Sequence, residues 1–134
     1  DSRRLIPYVI KSLLNSESPK ISSSISVRDF VYIGDVIDAY LKVIERPLPF
    51  GEVFNIGSGI QYSIGEVVAM ICEILGADIL AEWGAIESQR PEPKIWVADI
   101  YKAKSKLNWH PSTSIQMGLK NTVEWIREHA IFYP

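Results

Sequence analysis

Two arginines, Arg28 and Arg90, stand where local structure does not account for them. Arg28 opens the apolar stretch RDFVYI, and Arg90 sits in SQRPEP, a loop whose prolines stiffen its backbone. A guanidinium stays charged at any relevant pH and presents its N–H donors in a rigid fork that matches two phosphate oxygens at once. Two of them arriving from separate segments suit a diphosphate. The plainer alternative is that Arg28 pairs with Asp29 or Asp35 and that Arg90 is merely solvated, as surface charges often are. Spacing alone leaves both open.

A second stretch invites a nucleotide reading. FNIGSGIQYSIGEVVAMI, residues 54–71, runs from a strand-like segment through glycines into a helical one, the layout of a dinucleotide-binding turn. That turn needs its glycines directly at the helix start, where backbone N–H groups and the helix dipole meet the pyrophosphate. Counting from Gly57, the third glycine of G-x-G-x-x-G would fall on Tyr62. Ser63 and Glu66 form a capping box that starts the helix at Ile64, several residues later, and Glu66 adds a charge that repels phosphate. Gly57 and Gly59 are therefore expected to serve a tight turn, through positive φ or close backbone packing.

Catalytic sets fail in the same way. A Tyr-x-x-x-Lys pair needs lysine four residues after a tyrosine, and the residues so placed after Tyr8, Tyr32, Tyr40, Tyr62 and Tyr101 are Ser12, Val36, Ile44, Glu66 and Ser105. His110 and His129 have no serine or cysteine partner that the spacing supports. Cys72 and the two histidines do not have zinc-ligand spacing, and Cys72 reads as core packing. Asp35, Glu66 and Asp99 read as helix caps. No catalytic, cofactor-binding or metal-binding residue is assigned to this chain.

The elements that must position the arginines make a small mixed α/β domain of about four helices and short strands. Pro7 suits a first helical turn, so a helix is expected from about Pro7 to Asn15. ISSSISV alternates as a short hairpin would, and RDFVYI follows as a strand. Asp35 should cap a helix with Val36, Ile37, Tyr40, Val43 and Ile44 on one face. GEVFNI, ADILAEW and IWVA read as further strands. The helix from Ile64 should close at Gly76, one capped by Asp99 should run from Ile100 to Leu107, and Asn108 should take the left-handed position at its end. Ser114 should cap a last helix from Ile115 to about His129, burying Leu119, Val123 and Ile126.

At 134 residues the chain is one small domain by length, short for an enzyme holding both cofactor and substrate. Net charge is −2, with 14 basic against 16 acidic residues spread along the chain, so no stripe suits a nucleic-acid backbone or a membrane surface. One cysteine excludes an internal disulfide. With no apolar run of transmembrane length and no signal peptide at the start, a cytoplasmic, reducing setting is the expectation.

RLIP before a helix, RDFVYIGDVIDAYL, GEVFNIGSG followed by SIGEVV, RPEPKIWVADIYKAKSKLNWHP and SIQMGLKNTVEWI occur in this order over more than 120 residues. In this order they resemble the C-terminal part of the NAD(P)-dependent nucleotide-sugar epimerases and dehydratases, the extended short-chain dehydrogenase/reductases. The resemblance implies the substrate-binding lobe plus the last sheet elements of a Rossmann-type two-lobe enzyme, spanning residues 1–134 as a single segment. NAD(P) and the Tyr-x-x-x-Lys pair would belong to an N-terminal domain upstream of Asp1, so the chain is expected to be a fragment without turnover of its own. Family motifs carry diphosphate binding over to Arg28 and Arg90. They imply that Phe30 lines the nucleotide pocket, that the strand around Ser22 approaches the base, and that Glu92 meets a ribose hydroxyl. The partner implied is a nucleotide-diphospho-sugar. A reading from another class is a stand-alone binding or scaffold module that keeps the fold without oxidoreductase activity. In relatives RDFVYI, the first long helix and FNI pack on the cofactor lobe, so apolar surface at Val31, Ile33, Phe54 or Ile56, and self-association or a rearranged edge of the isolated segment, are expected.

Overall fold

The computed structural model describes residues 4–86 and 92–130. They hold four α-helices, one π-helical segment and four strands of two or three residues. The chain forms two compact units, residues 1–26, 63–93 and 119–134 in one and 27–62 and 94–118 in the other.

In the first unit, α1 (Leu5–Leu14) begins two residues earlier than expected, behind Arg4, with Pro7 still inside the first turn where its missing N–H costs nothing. It buries Val9, Ile10 and Leu13 and packs on α3 (Ile64–Leu75). The capping box that starts α3 is formed: the Glu66 N–H donates to Ser63 Oγ at 3.2 Å, and the Ser63 N–H donates to Glu66 Oε2 at 2.7 Å. Gly76 closes the helix in the left-handed conformation, φ 63°. Cys72 lies half-buried on α3, and burial pushes its thiol pKa up, which suits packing rather than reactivity.

ISSSISV is not a hairpin. β1 (Lys20–Ile21) instead pairs in parallel with β4 (Glu82–Trp83), with Ile21 opposite Trp83. The reason lies in the start of α3, whose first N–H groups have no partner inside the helix. The Ser26 carbonyl accepts from the Ile64 N–H and the Ser24 carbonyl from the Gly65 N–H, each at 2.8 Å. Carbonyls that a hairpin would have used internally are thus spent on a helix terminus.

In the second unit, β2 (Val27–Asp29) lies beside β3 (Gln61–Ser63). RDFVYI is strand only as far as Asp29, because α2 (Ile33–Ile44) has already begun at Ile33. Asp35 does not cap α2. It is the third helical residue, buried, and its carboxylate accepts from the Ser112 N–H, the Ser112 hydroxyl and the Thr113 N–H. Of the apolar residues on α2, Ala39 is buried, while Ile37, Tyr40, Leu41 and Ile44 are exposed.

GEVFNI and IWVA join no ladder among the described residues, and Gly51 belongs to a turn at φ 79°. GEVFNI alternates in burial, and its Phe54 and Ile56, with Ala98 of IWVA, pack against a core of Ala39, Ile100, Ala103, Leu107 and Trp109. Side chains replace the ladder, with Asn55 Nδ2 donating to the Asp99 carbonyl at 3.3 Å and the Ala98 N–H donating to Asp29 Oδ2 at 3.0 Å. Asp99 accepts from the Tyr101 N–H at 2.9 Å, and the turn it starts continues as the π-helical segment Ala103–Leu107. Asn108 ends it at φ 51°, as expected. Lys102, at the head of that segment, pairs with Glu52 and lies 5.0 Å from the Phe54 ring centroid. The last helix, α4 (Ile115–Glu128), is capped by Ser114, which accepts from the Met117 N–H, and buries Leu119, Val123 and Ile126.

Candidate functional site

Arg28 occupies the middle of β2 and is half-buried. Its guanidinium carbon lies over the Trp96 ring, 4.5 Å from the centroid, and Nη1 donates to the Val27 carbonyl at 2.7 Å. Both carboxylates weighed as its partners have work of their own. Asp35 grips Ser112 and Thr113. Asp29 accepts from the Ser58 N–H at 2.7 Å, the Ser58 hydroxyl at 2.6 Å, the Gly59 N–H at 3.0 Å and the Ala98 N–H at 3.0 Å.

Asp29 settles the glycine loop. A Cβ at Gly57 would stand 2.6 Å from Ala98 Cβ and 2.8 Å from Asp29 Oδ2, so the glycine is there for close approach; Gly59, at φ 73°, is there for the turn. The loop amides that a pyrophosphate would need donate to a carboxylate of the same unit, and the dinucleotide reading does not fit these residues. Sequence reasoning weighed Asp29 only as a partner for Arg28. Its signal was a carboxylate on one strand facing a Gly-Ser-Gly turn, which is visible only once the pairing of β2 with β3 is known.

Three clefts lie near the expected site residues. In the second unit, one of about 470 Å³ is lined by Asp29, Asn55, Gly57, Trp96 and Asp99 among others. Phe30 opens onto another of about 290 Å³, with Ser58, Tyr62 and Ser112–Ser114. In the first unit, Ser22 lines a cleft of about 440 Å³ with Tyr8, Lys20 and Ile86, where Tyr8 Oη accepts from the Lys20 N–H at 2.9 Å. Glu92 belongs to the first unit and is exposed. Arg90 lies outside the described residues. Arg28 and Phe30 therefore share one unit, and Ser22 and Glu92 belong to the other. Among the described residues, no three His, Cys, Asp or Glu side chains gather as a metal site, and no helix is long and apolar enough to cross a membrane.

The family model described as GDP-mannose 4,6 dehydratase matches residues 2–122. A UDP-glucuronate 4-epimerase of Thermodesulfobacterium geofontis is 35% identical over 103 residues, covering 76% of this chain and 31% of the relative. The dTDP-D-glucose 4,6-dehydratase of Homo sapiens is 30% identical over 135 residues, covering 94% and 37%. Among solved structures, UDP-glucuronic acid 4-epimerase from Bacillus cereus in complex with UDP-glucuronic acid and NAD superposes with a TM-score of 0.86 at 30% identity, covering 95% of this chain and 40% of the other. The chain thus spans about a third of the length of the curated relatives it matches. Over the part it spans, sequence and fold agree on one assignment: the chain belongs to the NAD-dependent nucleotide-sugar epimerases and dehydratases of the extended short-chain dehydrogenase/reductase family.

Proposed function

We propose that this chain is the nucleotide-diphospho-sugar-binding segment of an NAD(P)-dependent sugar epimerase or dehydratase, and that Arg28 and Arg90 each supply a guanidinium to the diphosphate. The observation that carries the reading is Arg28, half-buried on β2 with its guanidinium carbon over the Trp96 ring, 4.5 Å from the centroid. An arginine in that setting offers charge and a forked donor set to an oxyanion. The ligands bound in similar proteins, UDP-glucose in the Thermotoga maritima epimerase and UDP-glucuronic acid with NAD in the Bacillus cereus enzyme, support the same class of substrate. Phe30 would line the nucleotide pocket, Ser22 would face the base and Glu92 a ribose hydroxyl.

In the whole protein an N-terminal domain would hold NAD(P), which would supply hydride-transfer chemistry at the sugar for epimerisation or dehydration. The part of this chain is orientation and charge neutralisation, which bring the reacting carbon into register before the chemical step. Without that domain the segment is expected to bind and not to turn over.

Calorimetric titration of the chain with UDP-, GDP-, CDP- and dTDP-sugars tests the reading. Binding of at least one is expected, weakened about tenfold or more in Arg28→Ala and in Arg90→Ala, the scale of a lost charge-assisted hydrogen bond. Binding to none of them at millimolar ligand would leave a scaffold that keeps only the fold.

A further inference from the structure

We propose that Trp96 is a positioning residue for the diphosphate, acting through Arg28, and that Gln61 is what holds Trp96 in place. The proposal rests on the reading of Arg28 as a diphosphate ligand and adds to it the parts that aim the guanidinium.

A long arginine side chain loses much rotamer freedom when it must hold one geometry for a ligand. A surface that restrains it beforehand removes part of that loss from the binding step. The Trp96 ring is such a surface: the guanidinium carbon is 4.5 Å from its centroid, well inside cation–π reach, and tryptophan has the strongest ring quadrupole for the purpose. Attraction to a ring engages the guanidinium through its charge and its face, whereas N–H donors leave from its edges in the plane. Stacking and a forked contact to two phosphate oxygens are therefore compatible. The bond from Nη1 to the Val27 carbonyl, 2.7 Å, supplies a second restraint.

Trp96 needs an anchor of its own, since it is 50% exposed and its segment joins no ladder among the described residues. Gln61 is that anchor. Its Oε1 accepts from the Trp96 N–H at 3.0 Å and its Nε2 donates to the Lys94 carbonyl at 3.4 Å, so one amide side chain grips the segment at two backbone points. Gln61 lies on β3, the neighbour of β2, which carries Arg28. Arginine and indole are thereby referred to the same pair of strands.

The test is calorimetry of the chain with UDP, GDP, CDP and dTDP, and with the matching nucleosides lacking phosphate. Trp96→Leu is expected to weaken the nucleoside diphosphate about two- to fivefold, leave the nucleoside unchanged, and have no effect in an Arg28→Ala background. Trp96→Phe should retain most of the affinity, and Gln61→Leu should weaken the diphosphate as Trp96→Leu does. If Trp96→Leu does not fold, Trp96→Met decides in its place. Wild-type diphosphate affinity in the leucine or methionine variant, with Arg28→Ala impaired, overturns the role of Trp96 and leaves Arg28 standing. An equal loss in the Arg28→Ala background also overturns it, since the effect would then not pass through Arg28. Wild-type affinity in Arg28→Ala itself overturns the reading beneath.

Discussion

Asp35 and Ser112 lie 77 residues apart in the chain and meet at two points, Ser112 N–H to Asp35 Oδ1 at 3.0 Å and Ser112 Oγ to the same oxygen at 2.9 Å. The other carboxylate oxygen accepts from the Thr113 N–H at 3.2 Å, and the Asp35 backbone carbonyl accepts from the buried Trp109 indole at 2.9 Å. A carboxylate only 4% exposed is thus filled by donors from one loop. Removing it takes the partner from three part-buried donors and leaves a gap at a buried position. Asp35→Ala and Asp35→Asn should each cost about 2–4 kcal/mol in urea unfolding, the amide because its NH2 would face further donors. Ser112→Ala, which leaves the carboxylate its two backbone donors, should cost about 1 kcal/mol.

The same contacts set a pH dependence. Burial alone would push the Asp35 pKa up, but the hydrogen bonds from Ser112 and Thr113 outweigh it and hold the carboxyl below its ordinary 3.8. A folded-state pKa below the unfolded one gives stability that is fully present above the unfolded value and is lost as pH falls through the folded one. Glu52, held down first by the hydrogen bond from Lys102, and Glu66, held down first by Ser63, act in the same direction below about 4.5. The urea midpoint should therefore fall on acidification below about pH 4.5. The Asp35→Asn variant should show a shallower fall than wild type in the most acidic part of that range. An unchanged slope in that variant would show that Asp35 is not a linked group.

Gly57 and Gly84 separate two reasons for using glycine. At Gly57 a Cβ would meet Ala98 Cβ at 2.6 Å and Asp29 Oδ2 at 2.8 Å, whereas at Gly84, φ 73°, nothing lies within 4 Å. Gly57→Ala must displace a packed methyl and the carboxylate that orders the 58–59 loop, and should cost about 2–4 kcal/mol. Gly84→Ala meets only the left-handed backbone penalty and should cost about 1–2 kcal/mol. Thermal unfolding of the two variants side by side measures the difference, and equal shifts would count against the contact at Gly57.

Where a signal was local, it could be read from the residues. Ser63 with Glu66, Gly76, Asn108 and the buried triad Leu119, Val123 and Ile126 each depend on neighbours within a turn or two, and each stands where it was expected. The errors arose where a residue answers to something distant. Asp35 has the type and position of a cap, and only Ser112 and Thr113, far along the chain, show its other use. The serine stretch alternates like a hairpin because nothing local reveals that Ser24 and Ser26 serve the start of α3. GEVFNI has strand alternation and IWVA an apolar run, and neither pattern says anything of ladder partners; side chains of Asp29, Asn55 and Gln61 take that place. At the candidate site, Arg28 was legible as a charge without a local reason. Trp96 beneath it was not, since the two are brought together only by the folding of the chain.

The exposed face of α2 gives the last prediction. Ile33 is 62% exposed, Ile37 52%, Tyr40 69% and Ile44 78%, at intervals of four, three and four residues, which places them along one stripe of the helix. Contiguous apolar surface of this kind is uncommon on a monomer and favours association with another apolar face. Phe54 and Ile56, expected to be bare as well, are half-buried against the Leu107–Trp109 core, so the driving surface is the helix rather than the FNI segment. In sedimentation velocity the isolated chain should associate increasingly from micromolar to millimolar concentration. Ile37→Lys with Ile44→Lys should reduce that association while changing stability by less than about 1 kcal/mol, because neither side chain is packed. A monodisperse monomer across the range, or association undiminished by the two lysines, would show that this face is not what holds the copies together.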